Sequence, residues 1–200
     1  VNVNLTTGIA TGLGTDRLFE IENVLTGGGN DTIVGNLNNN LLNAGAGADT
    51  LDGAAGADTL YGEAGSDTLT GGAGIDRIFG GADNDLAYGG TEGDLIYGDA
   101  GADTLFGDAG VDTIFGGTEN DLVYGGSEND SLFGDAGNDT IFGGLGTDQA
   151  FGGDGNDLLV GEDGIDTLFG DGGDDTLRGG IGADVLNGSQ GLDLADYSDS

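Results

Sequence analysis

Apolar residues recur along this chain at a fixed interval of nine positions, beginning at Ile33. Leu51, Leu105 and Leu177 belong to the series, and every member stands two residues after an aspartate or, once, an asparagine. Glycines precede that residue, so one unit reads Gly-Gly-x-Gly-x-Asp-x-U-x, where U is apolar. A period this strict predicts a solenoid of stacked identical units rather than one globular core.

Each unit divides into a turn half and a strand half, as residues 71–79 (GGAGIDRIF) illustrate. The first six residues are rich in glycine and favour the positive φ angles of a tight turn. The last three favour a short strand, whose middle residue points away from its two neighbours. We therefore expect U to face the core, and two units, 18 residues, to form one coil.

The position two before U is acidic in every unit between residues 26 and 196 except one. Asn40 is the exception, and its unit also lacks two turn glycines, so we expect a neutral end coil with impaired metal sites. The candidate metal-ligating residues are Asp31, Asp49, Asp58, Asp67, Asp76, Asp85, Asp94, Asp103, Asp112, Asp121, Asp130, Asp139, Asp148, Asp157, Asp166, Asp175, Asp184 and Asp193.

The charge balance narrows the partners that the chain can bind. There are 37 acidic and 3 basic side chains, for a net charge of -34. Acids placed singly at a fixed spacing suit a ladder of cation sites better than a disordered acidic tail. Nucleic acid and anionic membranes are poor partners, and no apolar run approaches the roughly 20 residues of a membrane span. Without cysteine or histidine, the chain has no thiolate site and no common zinc ligand.

The repeat resembles the RTX, or haemolysin-type, calcium-binding nonapeptide over residues 26–196. This resemblance implies an all-β fold, a right-handed parallel β-roll (a β-solenoid), with Ca²⁺ held between turns stacked on the same side. For one example site it implies three oxygens from each of two coils, since calcium takes 6–8 oxygen ligands. Those ligands are the backbone carbonyls of Asp99, Gly101, Gly116 and Thr118 and the carboxylates of Asp103 and Asp121.

The number of ions follows from the number of gaps between turns on each side. The units give about 17 gaps of this type, and 17 divalent ions would carry about +34, close to the deficit of the bare chain. A core only one side chain thick is a weak counterweight to the ordering of so many glycines. We therefore expect calcium binding to supply folding free energy.

The pattern changes at both ends of the chain. Asp16 precedes Asp31 by 15 residues, out of phase, while Val1 and Val3 alternate as in a strand. We interpret residues 1–25 as a lead-in or capping coil with a degenerate repeat. It resembles segments that precede calcium-repeat blocks in long bacterial surface proteins. Residues 197–200 are interpreted as the C-terminal end or a junction to a next module.

Two sets of residues depart from a simple ladder, and each has two interpretations. An acid replaces the fourth-position glycine in four units; it either adds a metal ligand or is a solvated side chain on a tolerant turn. Aromatic residues at the ninth position form either a partner-docking face or rows that stiffen the sheets. The acids are Asp83, Glu92, Glu119 and Glu128, and the candidate contact aromatics are Tyr88, Tyr97, Phe106, Phe115, Tyr124, Phe133, Phe142 and Phe151.

The sequence is compatible with two biological roles. In the first, the chain is a calcium-binding structural module of a secreted surface protein, an adhesin or a surface layer, with neighbouring copies or a surface component as partner. In the second, it is the calcium-repeat region of an RTX enzyme or toxin whose catalytic domain lies elsewhere. The resemblance implies type I secretion and an extracellular location. We expect no catalysis within these residues, because a repeat position accounts for each carboxylate.

Overall fold

The computed structural model describes residues 1–12 and 14–198. Over these residues the secondary structure consists of strands, with no helix, so the predicted all-β class is confirmed. In chain order the strands are β1 (Asn2–Asn4), β2 (Ile9–Thr11), β3 (Thr15–Arg17), β4 (Asn23–Leu25), β5 (Thr32–Asn36), β6 (Leu41–Ala46), β7 (Thr50–Ala54), β8 (Thr59–Ala64), β9 (Thr68–Ala73), β10 (Arg77–Ala82), β11 (Leu86–Thr91), β12 (Leu95–Ala100), β13 (Thr104–Ala109), β14 (Thr113–Thr118), β15 (Leu122–Ser127), β16 (Ser131–Ala136), β17 (Thr140–Gly146), β18 (Gln149–Asp154), β19 (Leu158–Gly164), β20 (Thr167–Gly172), β21 (Thr176–Arg178), β22 (Val185–Asn187) and β23 (Leu194–Ala195).

From β4 onward, consecutive strands belong alternately to two sheets. The even-numbered strands from β4 to β22 form one sheet, and the odd-numbered strands from β5 to β23 form the other. Each strand pairs in parallel with the strand one coil away, so Leu105 lies between Ala87 and Val123. The register shift of 18 residues confirms that two units form one coil of a parallel β-solenoid.

Strand length is where the structure differs from the expectation. The three-residue strand predicted for each unit is wrong, because β13 and most of its neighbours contain six residues. The extra residues are the first three of the next unit, and Asp108 in that stretch pairs with Gly126. Stacking in register gives the backbone of the early turn a partner in the adjacent coil, which the side-chain preferences of one isolated unit do not reveal.

The U side chains form a single core column between the two sheets. From Ile33 to Leu168 each of them is 0 % exposed, and Leu177 is 2 % exposed. Leu186 is only partly buried and Ala195 is exposed; both lie in the last coil of the described residues. The prediction that U faces the core is therefore confirmed along the stack; in the last coil Leu186 still packs against the core and Ala195 pairs with Leu177, but both are more exposed.

The first residues of the chain cover one edge of the stack. Strand β1 pairs in parallel with β5 and antiparallel with β2, which in turn pairs antiparallel with β3. Val3 of β1 extends the core column next to Ile33. The domain boundaries at residues 25 and 196 stay predictions, and Leu13, Asp199 and Ser200 lie outside the described residues.

Candidate cation sites in the stacked turns

The repeat aspartates lie inside the turns rather than on the surface. Asp31 and every one from Asp49 to Asp175 are at most 4 % exposed. Asp184 is half-buried and Asp193 is exposed, since both belong to the final coil. An array of carboxylates is thus removed from water, which is unfavourable unless each charge finds a partner.

From Asp49 to Asp193, one oxygen of each repeat carboxylate accepts a hydrogen bond from the backbone of the preceding coil, whereas Asp31 Oδ1 accepts from the N-terminal amine of Val1. The N–H of Asp103 donates to Oδ1 of Asp121 at 2.8 Å. The same bond recurs along the stack, from the Asp31 N–H to Asp49 Oδ1 at 2.6 Å to the Asp175 N–H and Asp193 Oδ1 at 3.1 Å. The repeat aspartate is therefore a structural link between coils as well as a candidate ligand.

The second oxygen, Oδ2, is buried and accepts no hydrogen bond in a long run of units. A buried anionic oxygen without a partner is strongly destabilising, so these atoms fit a bound cation. The aspartates with this unpaired Oδ2 are Asp49, Asp58, Asp67, Asp76, Asp85, Asp94, Asp103, Asp112, Asp121, Asp130, Asp139, Asp148, Asp157, Asp166 and Asp175.

Backbone carbonyls converge on the same space. A Cβ on Gly98 would lie within 3.0 Å of both Asp103 Oδ2 and the carbonyl oxygen of Gly116 in the next coil. A Cβ on Gly117 would similarly meet the carbonyl oxygen of Asp99. Glycine at these positions therefore leaves room for oxygens from two consecutive coils to face each other.

The remaining members of the example site lie in the same gap between coils. Gly101 has a φ of 137°, and its N–H donates to the Thr118 carbonyl at 3.3 Å. Asp121 faces the gap through Oδ1, which binds the Asp103 N–H. The structure thus brings the six predicted residues together around one gap, while their role as ligands stays a prediction.

Side chains alone do not complete these sites. In the described part of the chain, no three acidic side chains group closely enough to hold a metal ion. An ion in a gap would need backbone carbonyl oxygens beside its two carboxylates. Such an all-oxygen donor set fits a hard cation of flexible coordination such as calcium.

Electrostatics make the cation-free turns unfavourable at neutral pH. Burial, followed by repulsion from the aspartates of adjacent coils, raises the pKa of Asp94 and of Asp121 to about 8. The same causes raise the pKa of Asp85 and of Asp130 to about 7. A divalent ion between coils would counter both the lost hydration and the repulsion.

Asn40 satisfies its position without a cation. Its Nδ2 donates to the Glu22 carbonyl at 3.0 Å, and its Oδ1 accepts from the Asn36 N–H at 2.8 Å. Both ends of the amide are therefore paired within the protein. This agrees with the expectation of a neutral end coil.

The ninth-position aromatics form two stacked rows, one on each sheet. Neighbouring ring centroids within a row lie 4.7 to 5.2 Å apart, and the planes are within 9° of parallel. The even-numbered strands carry Tyr61, Phe79, Tyr97, Phe115, Phe133, Phe151 and Phe169, and the odd-numbered strands carry Tyr88, Phe106, Tyr124 and Phe142. Stacking within the rows is present, and docking of a partner stays a prediction.

Comparison with known protein families agrees with the geometry of the turns. The sequence profile of the RTX calcium-binding nonapeptide repeat (4 copies) matches residues 25–60, 61–96, 88–123, 115–150, 124–159 and 160–195. No curated protein matches the chain. Because the profile covers most of the sequence, the chain belongs to the RTX calcium-binding nonapeptide repeat family and is a calcium-binding structural repeat module.

Proposed function

We propose that this chain is a calcium-dependent structural module of a secreted surface protein, such as an adhesin or a surface layer, that folds when it meets extracellular calcium. The observation that carries the proposal is the column of buried Oδ2 atoms that lack any partner. A fold that buries so many unpaired anionic oxygens needs a cation at each of them.

The proposed sites occupy the gaps between consecutive coils, about 17 in all. Two turns face each gap, and we call the one that comes earlier in the chain the lower turn and the other the upper turn. The lower turn would supply its aspartate Oδ2 and the backbone carbonyls of the second and fourth residues of its nine-residue unit. The upper turn supplies the carbonyls of its first and third residues and its aspartate Oδ1. Bound calcium would supply the positive charge that these oxygens lack, and each interior aspartate would serve the gaps on both of its sides.

The same chemistry supports an extracellular location. Calcium modules that work outside cells bind with dissociation constants of about 10⁻⁴–10⁻³ M, whereas cytosolic sites must be far tighter. A chain with a net charge of -34 repels itself until calcium is available, which suits export in an unfolded state and folding outside. Among the described residues, no helix is long and apolar enough to cross a membrane.

The surface role draws on the shape of the repeat array. The β-solenoid continues with one register from β5 to β23, and family-matched repeats fill residues 25–195. Such a rod suits a spacer or lattice element. Antibody labelling of intact producing cells tests this role, since a soluble enzyme or toxin would appear in the medium instead.

Calcium removal tests the folding part of the proposal. Circular dichroism and small-angle scattering should show loss of β signal and expansion when a chelator is added at neutral pH. Magnesium should restore the fold poorly, because it demands a near-octahedral shell at about 2.0–2.1 Å. A chelated sample that remained compact with full β signal would contradict calcium-dependent folding.

A further inference from the structure

Three glutamates occupy the fourth position of a turn, where most units have glycine. Glu92, Glu119 and Glu128 take positive φ angles of 72°, 76° and 77°. Each carboxylate reaches back across the gap to the preceding coil. In Glu119, Oε2 accepts from the Gly101 N–H at 3.1 Å and from the Thr118 hydroxyl at 2.6 Å. The three side chains are exposed, and these two hydrogen bonds hold the Glu119 carboxylate at the gap.

The other two glutamates make the same contacts. Glu92 Oε2 accepts from the Gly74 N–H at 2.9 Å and from the Thr91 hydroxyl at 2.7 Å. Glu128 Oε2 accepts from the Gly110 N–H at 3.1 Å and from the Ser127 hydroxyl at 2.8 Å. A hydroxyl just before the glutamate thus accompanies each back-reaching carboxylate. We call these three gaps the glutamate gaps.

The glutamate loosens a backbone bond in each glutamate gap. In gaps without it, the fourth-position N–H donates to the third-position carbonyl of the next coil at short range, as from Gly47 to Ala64 at 2.8 Å. In the glutamate gaps this distance is 3.3 Å, as from Gly101 to Thr118, because the N–H is shared with the carboxylate. A carbonyl oxygen of the proposed ligand set is thereby less engaged.

The same gaps contain buried carboxylate oxygens that point to a ligand. Asp76, Asp103 and Asp112, the lower aspartates of the three gaps, are at most 1 % exposed, and their Oδ2 atoms have no partner. Glu119, hydrogen-bonded to Gly101 and Thr118, adds a negative charge at the edge of its gap, although it does not join the two aspartates as a group of three.

We propose that the three glutamate gaps are the tightest divalent-cation sites of the array and fill before the others. The inference rests on the proposed calcium function, because it ranks sites that this function assumes. A negative charge at the edge of a site attracts a divalent cation, and a carbonyl oxygen that is held less closely by an N–H is more available to coordinate it. Asp83 offers an internal contrast: it holds the same position, yet Gly65 keeps its 3.0 Å bond to the Ala82 carbonyl.

Calcium titration of the full chain by calorimetry, in competition with a chromophoric chelator, tests the ranking. The unmodified protein should show a class of about three tight sites ahead of the rest. The triple variant Glu92→Gln, Glu119→Gln, Glu128→Gln should lose that class, with affinity of those sites reduced about tenfold. The matched control Glu20→Gln, Glu22→Gln, Asp174→Asn removes three exposed acids that stand at no proposed ligand position, and it should keep the tight class.

Each outcome decides between the two proposals. A tight class that persists in the triple glutamate variant, or disappears equally in the control, would overturn the ranking. No calcium binding by the unmodified protein would instead overturn the proposed function. Circular dichroism at saturating calcium establishes whether each variant folds. Should the triple variant not fold, Glu119→Gly, which restores the repeat consensus, must lower the number of tight sites by one if the ranking is correct.

Discussion

The coil that contains Asn40 and the coils around Asp112 solve the same packing problem in different ways. Asn40 pairs both ends of its amide with backbone groups, so its turn is complete within the protein. Asp112 accepts one N–H through Oδ1 and leaves Oδ2 buried without a partner. The amide nitrogen Nδ2 of Asn40 is paired within the protein, whereas the carboxylate oxygen Oδ2 of Asp112 is not and fits a bound cation.

The comparison assigns the dependence on calcium to particular atoms. A uniform core column supports both regions, with Leu42 and Ile114 each 0 % exposed. Core burial therefore does not distinguish them. The unpaired carboxylate oxygens and their mutual repulsion do.

Acid should partly replace calcium in the central coils. The pKa of Asp94 and Asp121 is raised to about 8 by burial and neighbouring aspartates, against 3.8 for the unperturbed group. Between about pH 4 and pH 8 the folded state therefore binds more protons than the unfolded chain, so calcium-free stability is greatest at low pH and is lost as pH rises through this range. The chelated protein should regain β signal and hydrogen-exchange protection between pH 8 and pH 5.

With calcium present, the direction should reverse, because protons compete for the same oxygens. Calcium affinity measured at pH 5 should be lower than at pH 8. The Asn40 turn has no titratable group at that position and serves as the reference in the exchange experiment. Identical protection in the chelated protein at both pH values would contradict a destabilising role for the carboxylates.

Position along the array should decide how far a lost aspartate is felt. Asp112→Ala affects the gaps on both sides of Asp112, so the protein should bind about two fewer calcium ions. The substitution also removes the acceptor of the Asp94 N–H, which should lower the free energy of unfolding by about 1–3 kcal/mol. Asp193→Ala should cost one ion and fray only the last coil. Ion counting and hydrogen exchange at limiting calcium measure both effects. Equal losses confined to the substituted turn would show that ions are not shared.

Exchanging aspartate and asparagine at the repeat position should exchange the dependence of the two turns on calcium. Asp148→Asn replaces the unpaired Oδ2 with an amide donor near the Gly161 carbonyl, so we expect about 1–3 kcal/mol more calcium-free stability and weaker calcium binding. Asn40→Asp removes the donor to Glu22 and should destabilise its coil unless calcium is present. Chemical denaturation with and without chelator gives both values. Changes of the same sign in both variants would contradict the comparison.

The solenoid and its core positions could be predicted from the sequence, because the same nine-residue pattern recurs in every coil. Leu105 and its equivalents could be placed without coordinates for that reason. The six-residue strands and the contacts of Glu119 could not, because both depend on which backbone group of the next coil lies opposite. The local signal available was the Thr or Ser before each glutamate, which gains meaning only once the coils are stacked. The antiparallel strand β2 has no repeat to predict it.

Substitutions in the aromatic rows, which lie on the sheets rather than in the turns, should give the smallest loss of stability. The ninth position of the Asn40 unit is Asn43, so no ring stacks there, whereas Phe115 lies 4.8 Å from Tyr97 and 4.7 Å from Phe133. Phe115→Leu should lower stability at saturating calcium by about 1–3 kcal/mol, since each stacked pair contributes about 0.5–1.5 kcal/mol. Phe169→Leu removes a ring whose one stacking neighbour within the row is Phe151, and should cost about half as much.

Thermal unfolding in excess calcium compares the two aromatic variants directly. A lower midpoint for Phe115→Leu than for Phe169→Leu would establish the rows as struts between coils, because a shared ring supports two neighbours and a terminal ring supports one. Unchanged midpoints in both variants would remove this stabilising role. The half-buried rings would then need another reason to line both sheets, and the docking interpretation would be the one to test.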